Sequence, residues 1–331
     1  MTAVMREPVA LPTRRRPRPT LAGAARSTAS VLSGDPRAAT GSAIAGAAAM
    51  GLRELLDSAR RPARVLAVFP AAVYLEMRTA AEPRVLAVVC SDAVRLPNAV
   101  VVPVGGRDRP FRSIREGQEA WVGDGQIEAG ALRVRIRRWW DPVPALGGVT
   151  PARLARGIGE LEAAVAEGRL GLAGHPDPGL LAERCATGDL ADAVEIAERI
   201  VGLGPGLTPS GDDVLAGLLV ALRALGGAVP HGRTAIWLAD WLGAAVTADA
   251  GTRTTALAAT LLHCAAAGQA SAEVTAVLRG VGGADPLGPA VRRLLAVGHT
   301  SGADLAFGLL AGCRAVLALS LAAAQDRRVP A

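Results

Sequence analysis

Short apolar runs rich in valine recur between residues 64 and 138, separated by Pro, Asp, Asn or Gly. The segment Leu132-Arg133-Val134-Arg135-Ile136 alternates strictly between apolar and basic residues, which is typical of a strand with one buried face. Gly123-Asp124-Gly125 is a tight hairpin signal. The spacing predicts seven strands of a small β-barrel or sandwich, over residues 65–69, 73–77, 85–90, 99–102, 118–122, 126–127 and 132–136.

Helical periodicity of the apolar positions dominates the chain after residue 150. Thr150-Pro151 is a helix start, with Thr as the cap and Pro at the first helical position. This helix should run to Gly168, and no strand is expected after Asp141. Further helices are predicted over residues 190–201, 213–225, 234–246, 254–267, 272–278, 289–297 and 304–324.

These patterns predict an α+β fold, in which a small β-barrel or sandwich-like amino-terminal domain precedes an all-α helical bundle. The expected divisions are a disordered basic tail over 1–40, a β-rich domain over 41–145 and a helical domain over 146–326. Residues 11–19 hold three prolines and four arginines, which favours disorder. This tail is either a genuine solvated segment or the product of a start codon assigned too far upstream.

Composition narrows the possible chemistry of this 331-residue chain. All 36 basic residues are arginine, which excludes a Schiff-base or phosphate-loop lysine. Much of the net charge of +6 lies in the tail, so we expect no nucleic-acid partner. Four His and four scattered Cys show no metal-ligand spacing, and the isolated Cys are typical of buried thiols in a cytoplasmic protein. No membrane span is predicted.

The densest polar cluster is Gly202-Leu203-Gly204-Pro205-Gly206-Leu207-Thr208-Pro209-Ser210-Gly211-Asp212-Asp213. Its glycines permit close approach of a ligand. Ser210 and Asp213 form a capping-box pattern, and free amides at the helix start would favour an anion. Asp212 and Asp213 could together bind Mg²⁺ or hold an amide group. A well-capped helix after a turn is the simpler interpretation.

A second cluster, Gly298-His299-Thr300-Ser301-Gly302-Ala303-Asp304, aligns with the first when one residue is skipped at Pro209. Asp213 then matches Asp304, and Gly217 matches Gly308 one turn later. A glycine inside a helix costs about 0.5–1 kcal/mol relative to alanine. Two at equivalent positions therefore predict that the helices pack tightly and direct their amino-terminal ends at one pocket. His299 could act there as a general acid or a donor, or could be merely structural.

The third cluster is Asp249-Ala250-Gly251-Thr252-Arg253-Thr254-Thr255. Thr252 or Thr254 is expected to cap the following helix. Arg253 would then lie at a helix start, where a cation opposes the helix dipole. That position is explained if Arg253 pairs with a bound anion. We therefore expect the segments near Ser210, Thr252 and Ser301 to meet around one negatively charged ligand.

The three clusters together resemble the AllH-like family, and the resemblance runs from about Arg64 to Leu321. That family, formerly a domain of unknown function, is associated with a subunit of oxamate carbamoyltransferase in anaerobic allantoin and purine catabolism. The resemblance implies a reaction between oxalurate and phosphate that gives oxamate and carbamoyl phosphate. It also implies companion subunits, one resembling succinyl-CoA synthetase. It supplies no catalytic residues, so every residue role here rests on physical argument.

These considerations predict that the protein is a transferase subunit, which binds a small anionic carbamoyl compound where several helices begin. The candidate catalytic residues are His299, Asp212 and Asp213, and the two aspartates are also candidate Mg²⁺ ligands. The candidate substrate-binding residues are Gly204, Gly206, Thr208, Ser210, Gly211, Thr252, Arg253, Thr254, Thr300, Ser301 and Asp304. The alternatives are a non-catalytic ligand-binding or scaffolding subunit and a metal-dependent phosphoryl-transfer enzyme.

Overall fold

A closed eight-stranded barrel forms the first half of the computed structural model, which describes residues 43–79, 82, 84–166 and 168–326. The strand order around the barrel is β1-β5-β4-β3-β2-β6-β7-β8. The strands are β1 Ile44–Ala49, β2 Arg61–Phe69, β3 Ala72–Met77, β4 Val85–Cys90, β5 Ala99–Val102, β6 Glu119–Gly123, β7 Gln126–Ala129 and β8 Leu132–Trp140. The predicted tail over 1–40 lies outside the described residues.

All seven predicted strands are present, and β1 is an additional one that closes the barrel. It pairs parallel to β8 and antiparallel to β5. Its sequence, Ile-Ala-Gly-Ala-Ala-Ala, carries no alternation of apolar and polar residues. A Cβ on Gly46 would approach the Val134 and Val100 side chains to within 2.7 and 2.9 Å. The small residues of β1 are therefore explained by the narrow interior that they face.

Strand β4 is buried along its whole length because both of its faces are covered. Leu86 and Val88 belong to the core inside the barrel, whereas Ala87 and Val89 belong to a separate outer cluster. Near the start of the strand, the Val85 N–H donates to the Thr260 hydroxyl of a helix at 3.2 Å. The barrel and the helices belong to one unit, Gly41–Ala331, and β4 is one of the strands that join them.

Helices account for the regular structure that follows β8, as predicted, and the described residues after Trp140 contain no strand. A short helix, α1 Arg53–Asp57, lies within the barrel region, next to the 3₁₀ turn Met50–Leu52; a second 3₁₀ turn spans Gly106–Asp108. The helices of the second half are α2 Pro151–Val165, α3 Asp177–Thr187, α4 Leu190–Ile200, α5 Ser210–Ala228, α6 Arg233–Thr247, α7 Ala250–Arg253, α8 Ala256–Ala266, α9 Ala272–Val281, α10 Leu287–Leu295 and α11 Ser301–Asp326.

Every predicted helix is present, and α1, α3 and α7 were not anticipated. Helix α2 begins as expected, because the Thr150 hydroxyl accepts the Arg153 N–H at 3.3 Å and Pro151 is its first residue. Helix α3 starts with Asp-Pro-Gly, which is a turn signal when considered alone. Helices α5 and α11 begin at Ser210 and Ser301, one turn earlier than the predicted starts at 213 and 304.

The centre of the helical half is a close crossing of α5 and α11, as the paired glycines predicted. A Cβ on Gly217 would overlap the Leu305 carbonyl and lie 2.9 Å from the Leu309 nitrogen. A Cβ on Gly308 would overlap the Val214 carbonyl and lie 2.9 Å from the Leu218 nitrogen. Each glycine therefore admits the backbone of the other helix.

Helix α11 is also long and apolar enough to cross a membrane by length and composition alone. The mean hydropathy of its most apolar window is 2.0, but 61% of that window is buried inside the protein. The helix packs against α5, α3 and α2, as a core helix does. It is therefore weak evidence for a membrane span.

Candidate functional site

The three polar clusters of the sequence meet at one place. The Thr208 hydroxyl lies 3.1 Å from that of Ser301, and the Ser210 hydroxyl lies 3.5 Å from that of Thr300. In the third cluster, the Thr254 hydroxyl donates to the Asp212 carboxylate. The first turns of α5, α8 and α11 thus start side by side, and their juxtaposition follows the prediction.

The loop before α5 follows a path that its glycines make possible. Gly202, Gly204 and Gly206 have φ values of 74°, 113° and 103°, in the region that favours glycine. A Cβ on Gly202 would overlap the Arg253 carbonyl, and one on Gly204 would lie 3.0 Å from the Ser210 nitrogen. The loop can therefore lie directly against α7 and the start of α5.

The predicted capping box is wrong. Pro209, not Ser210, precedes the helix, and no side chain caps its first turn. Instead, the Gly211 N–H donates to the Leu203 carbonyl, and those of Asp212 and Asp213 donate to the Pro209 carbonyl. In α11, the N–H groups of Gly302, Ala303 and Asp304 likewise donate to the carbonyls of Val297 and Thr300. The free amides expected at these positions are therefore already occupied.

Asp212 holds the clusters together through its carboxylate. One oxygen accepts the Gly202 N–H at 2.9 Å, and the other accepts the Thr254 hydroxyl. Burial raises the pKa of Asp212, while these two hydrogen bonds and the charge of Arg253 act in the opposite direction. Its side chain is 3% exposed. Each oxygen of the Asp212 carboxylate therefore has a structural partner.

Asp213 and Asp304 occupy the same position, the fourth residue, of α5 and α11. They are 6% and 0% exposed, and each has a buried Oδ2 without a hydrogen-bond partner in the described structure. The Asp304 Oδ1 accepts the Gly171 N–H at 2.9 Å. The Ser301 and Thr208 hydroxyls lie beside the Asp213 carboxylate and act to lower its pKa. No cation pairs with either aspartate in the part of the chain that the structure describes.

The pKa of Asp213 is raised to about 8. Burial is the largest cause, and the negative charges of Asp304 and Asp212 act in the same direction. The hydrogen bonds from Ser301 and Thr208 oppose the shift. A carboxyl group in such surroundings can donate a hydrogen bond when it is protonated and accept one when it is ionised.

A cavity of about 330 Å³ opens at Asp213 between the helices and the barrel. Thr208, Asp212, Asp213, Gly298 and Ser301 line it near the helix starts. Most of the remaining wall is apolar and comes from α5, α8, the start of α9, α11, and barrel strands and loops. Sequence reasoning missed these wall residues, among them Phe69, Tyr74, Leu96 and Leu257, because no local signal relates barrel loops to helix faces.

Several candidate site residues lie beside this cavity rather than in its wall. Arg253 ends the short helix α7, so the expectation that it starts a helix is wrong. Its guanidinium donates to the Glu198 carbonyl and lies 3.5 Å from the Asp249 carboxylate. His299 and Thr252 are exposed. Thr255, not Thr252 or Thr254, caps α8 by accepting the Ala258 N–H at 3.0 Å.

The remaining candidate residues surround the helix starts. Ser210 and Gly211 are buried within the first turn of α5, and Thr300 directly precedes α11. Gly171, which sequence reasoning missed, lies where a Cβ would overlap the Ser210 hydroxyl oxygen. In the described ranges, no group of three or more His, Cys, Asp or Glu side chains is placed to hold a metal ion. The pair Asp212 and Asp213 thus has no third ligand of these types.

The comparisons with known proteins agree with the resemblance over part of the chain. Residues 200–313 match the family model described as oxamate carbamoyltransferase subunit AllH. The match covers about a third of the chain, from the end of α4 into α11, and includes all three clusters but not the barrel. The family name indicates a subunit of an oxamate carbamoyltransferase. No curated protein and no solved structure matches the chain.

Proposed function

We propose that this protein is a subunit of an oxamate carbamoyltransferase-like enzyme and binds a small carbamoyl compound where α5, α8 and α11 begin. The observation that carries the proposal is Asp213, a residue that lines the cavity and has a buried Oδ2 without a hydrogen-bond partner in the described structure. An unpaired buried polar group costs about 1–3 kcal/mol, and a ligand that supplies its partner recovers that energy. The matched segment, residues 200–313, contains this site.

The Asp213 carboxyl group suits an amide or carbamoyl head group. When protonated, it donates to a carbonyl or carboxylate oxygen; when ionised, it accepts from the carbamoyl –NH₂. Its raised pKa favours the neutral form, so an anionic ligand meets less repulsion than two ionised aspartates would cause. The Thr208 and Ser301 hydroxyls provide further donors and acceptors beside it.

For the reaction implied by the resemblance, a phosphate oxygen attacks the carbamoyl carbon of oxalurate. The bond from that carbon to the oxamate nitrogen breaks, and the nitrogen takes up a proton as oxamate leaves. In this proposal Asp213 orients the carbamoyl group, and Asp212 fixes the loop that carries Thr208. Arg253 and His299 contribute only after a side-chain movement toward the cavity.

A non-catalytic ligand-binding subunit is the second candidate, and the composition of the cavity favours it. The described residues that line the cavity include no His, Cys or Arg. The reacting groups would then come from a companion subunit, which the description of the matched family as a subunit suggests. We propose that one such companion resembles succinyl-CoA synthetase. The four buried, unpaired cysteines suit the cytoplasmic location that is part of this proposal.

Binding measurements by titration calorimetry test the site. Oxamate and carbamoyl phosphate should bind the wild-type chain, and Asp213→Ala should raise Kd at least tenfold because the ligand loses its buried partner. Asp285→Ala is the control, since Asp285 forms an exposed ion pair with Arg279 outside the cavity. Circular dichroism verifies that both variants are folded. Unchanged binding by Asp213→Ala contradicts the proposed site.

The choice between the two candidates requires the assembled enzyme. The catalytic interpretation predicts that Asp213→Asn, which keeps the size of the side chain, lowers kcat by at least tenfold when the companion subunits are added. The non-catalytic interpretation predicts a higher KM with kcat almost unchanged.

A further inference from the structure

The cavity is much longer than its polar end. Asp213, Ala216 and Val220 lie on one face of α5 and all line the cavity. At about 1.5 Å per residue, this stretch is roughly 10 Å long. Beyond Asp213 on this face, α5 presents only apolar side chains to the cavity. Oxamate extends over about half of that length, so it would fill only the part near Asp213.

Helix α8 forms another part of the wall and runs in the same direction as α5. At its start, the Thr255 hydroxyl donates to the Leu207 carbonyl, close to the start of α5. Past its end, a Cβ on Gly268 would lie 2.6 Å from the side chain of Arg223, in the second half of α5. Leu257, Leu261 and Ala265 therefore continue the apolar wall along the same axis.

Barrel residues cover one side of the part of the cavity that runs along α5 and α8, which we call the slot. Tyr74, Leu96 and Pro97 line it together with Phe69, whose ring meets that of Tyr74 edge to face at a centroid distance of 5.8 Å. Phe69 is 46% exposed. The slot is thus a mostly apolar space with Asp213, Thr208 and Ser301 at one end and Gln269 and Ser271 past the end of α8, and its aromatic side lies on the barrel.

The size of the cavity also favours a ligand larger than oxamate. Oxamate has about six heavy atoms, and at about 30 Å³ per water-sized group such a ligand fills only about half of 330 Å³. Pockets for small molecules of 300–1,000 Å³ are typically apolar with a few placed polar groups. An apolar space next to a polar end favours a ligand that has a polar head group and an apolar body.

We propose that the cavity binds an amphipathic carbamoyl or amide compound whose apolar body is of leucine or phenylalanine size. The head group lies at Asp213, Thr208 and Ser301, and the body lies along α5 and α8 beneath Tyr74 and Leu96. This inference rests on the proposed function for its head group. It differs from it in the substrate class, since oxalurate has no apolar body.

Two N-carbamoyl amino acids test the inference by calorimetry on the full chain. N-carbamoylglycine carries the head group alone, and N-carbamoyl-L-leucine adds an isobutyl group. Burying these added carbons should tighten binding at least tenfold. Ala216→Leu places a larger side chain in the slot and should abolish this preference. Ala322→Leu, at an exposed position of α11, is the matched control and should retain it.

The possible results separate the two proposals. A preference for the leucine compound that Ala216→Leu removes and Ala322→Leu retains supports both. If the two compounds bind equally well and both depend on Asp213, the apolar body is wrong and the proposed function stands. A preference that survives in Ala216→Leu also overturns the placement in the slot. If neither compound binds, this inference fails, and the oxamate and carbamoyl phosphate titrations decide the proposed function separately.

Discussion

The starts of α5 and α11 show how one local motif can serve two purposes. Both helices begin with Ser-Gly, carry aspartate at the fourth position and have a glycine one turn later. Their surroundings are also alike. A Cβ on Gly211 would overlap the Ile200 carbonyl at the end of α4, and one on Gly302 would overlap the Leu294 carbonyl at the end of α10. The repeated sequence therefore produces a repeated helix–loop–helix packing.

The two aspartates, Asp213 and Asp304, differ in the groups that surround their carboxylates. Asp304 is fully buried and accepts the N–H of Gly171 from a neighbouring loop. Asp213 has the Ser301 and Thr208 hydroxyls beside it and lines the cavity. The equivalent position thus fixes a loop in one copy and faces a space for a ligand in the other. The comparison teaches that the motif itself specifies the helix crossing, and that the surrounding elements decide whether it also forms a site.

The largest effect is expected where the two copies cross. In Gly217→Ala and Gly308→Ala, the added methyl group would overlap backbone atoms of the facing helix, which cannot rotate away as a side chain can. Overpacking of this kind typically lowers the free energy of unfolding by about 1–3 kcal/mol. Because the neighbouring atoms here are backbone atoms, we expect a loss of about 3 kcal/mol for each variant. The free energy of unfolding in urea is the measurement.

Gly227→Ala is the control for those variants. Gly227 lies in the same helix, α5, and a Cβ there would meet no atom within 4 Å. This substitution should stabilise the protein by about 0.5–1 kcal/mol, because alanine is the better helix former. Similar stability of all three variants would show that α5 and α11 do not cross at these glycines.

The crossing could be predicted from sequence because its cause is local and repeated. The matched positions of Asp213 and Gly217 with Asp304 and Gly308 carry that information within two short segments. The barrel could be predicted for a similar reason, since short apolar runs, most of them rich in valine, mark the predicted strands. Strand β1 could not, because its alanines fit a narrow interior that only the assembled barrel creates.

The site could be predicted only in part. The three clusters lie side by side as predicted, whereas the anion around which they are expected to meet stays a prediction. The roles of single residues depend on contacts between distant segments, such as those of Arg253 with Glu198 and of Asp304 with Gly171. The apolar wall is the clearest example, because Tyr74 and Leu257 are far apart in sequence and neither carries a signal of ligand binding.

A second test uses the pH dependence of stability to examine the raised pKa of Asp213. The folded protein holds the Asp213 carboxyl group with a pKa of about 8, whereas an unfolded aspartate ionises near pH 4. Its contribution to stability is fully present below about pH 4 and is lost as the pH rises toward 8. Relative to Asp213→Asn, the wild type should lose at least about 2 kcal/mol over this interval in urea unfolding.

Asp285 supplies a control of opposite sign for the pH test. Its ion pair with Arg279 lowers the pKa of this exposed carboxyl group. The stability that it contributes is present above about pH 4 and is lost as the pH falls through the folded pKa. Comparison with Asp285→Asn should therefore show a change only at acidic pH. A wild type and an Asp213→Asn variant with parallel profiles from pH 4 to 8 would contradict the raised pKa.

The smallest effect on stability is expected from removing the side-chain cap of α8, and the start of α5, which has no such cap, provides the comparison. Thr255→Ala removes the hydroxyl that accepts the Ala258 N–H, so it should cost about 1 kcal/mol in the free energy of unfolding. Ser210→Ala removes no cap, because the first turn of α5 donates to backbone carbonyls. Its cost should stay below that of Thr255→Ala, because the Ser210 hydroxyl has only the long 3.5 Å contact with that of Thr300. The exposed Thr252→Ala should stay within about 0.5 kcal/mol. Equal losses in Thr255→Ala and Ser210→Ala would instead mean that a side chain caps α5, and that the loop before it does not replace the cap.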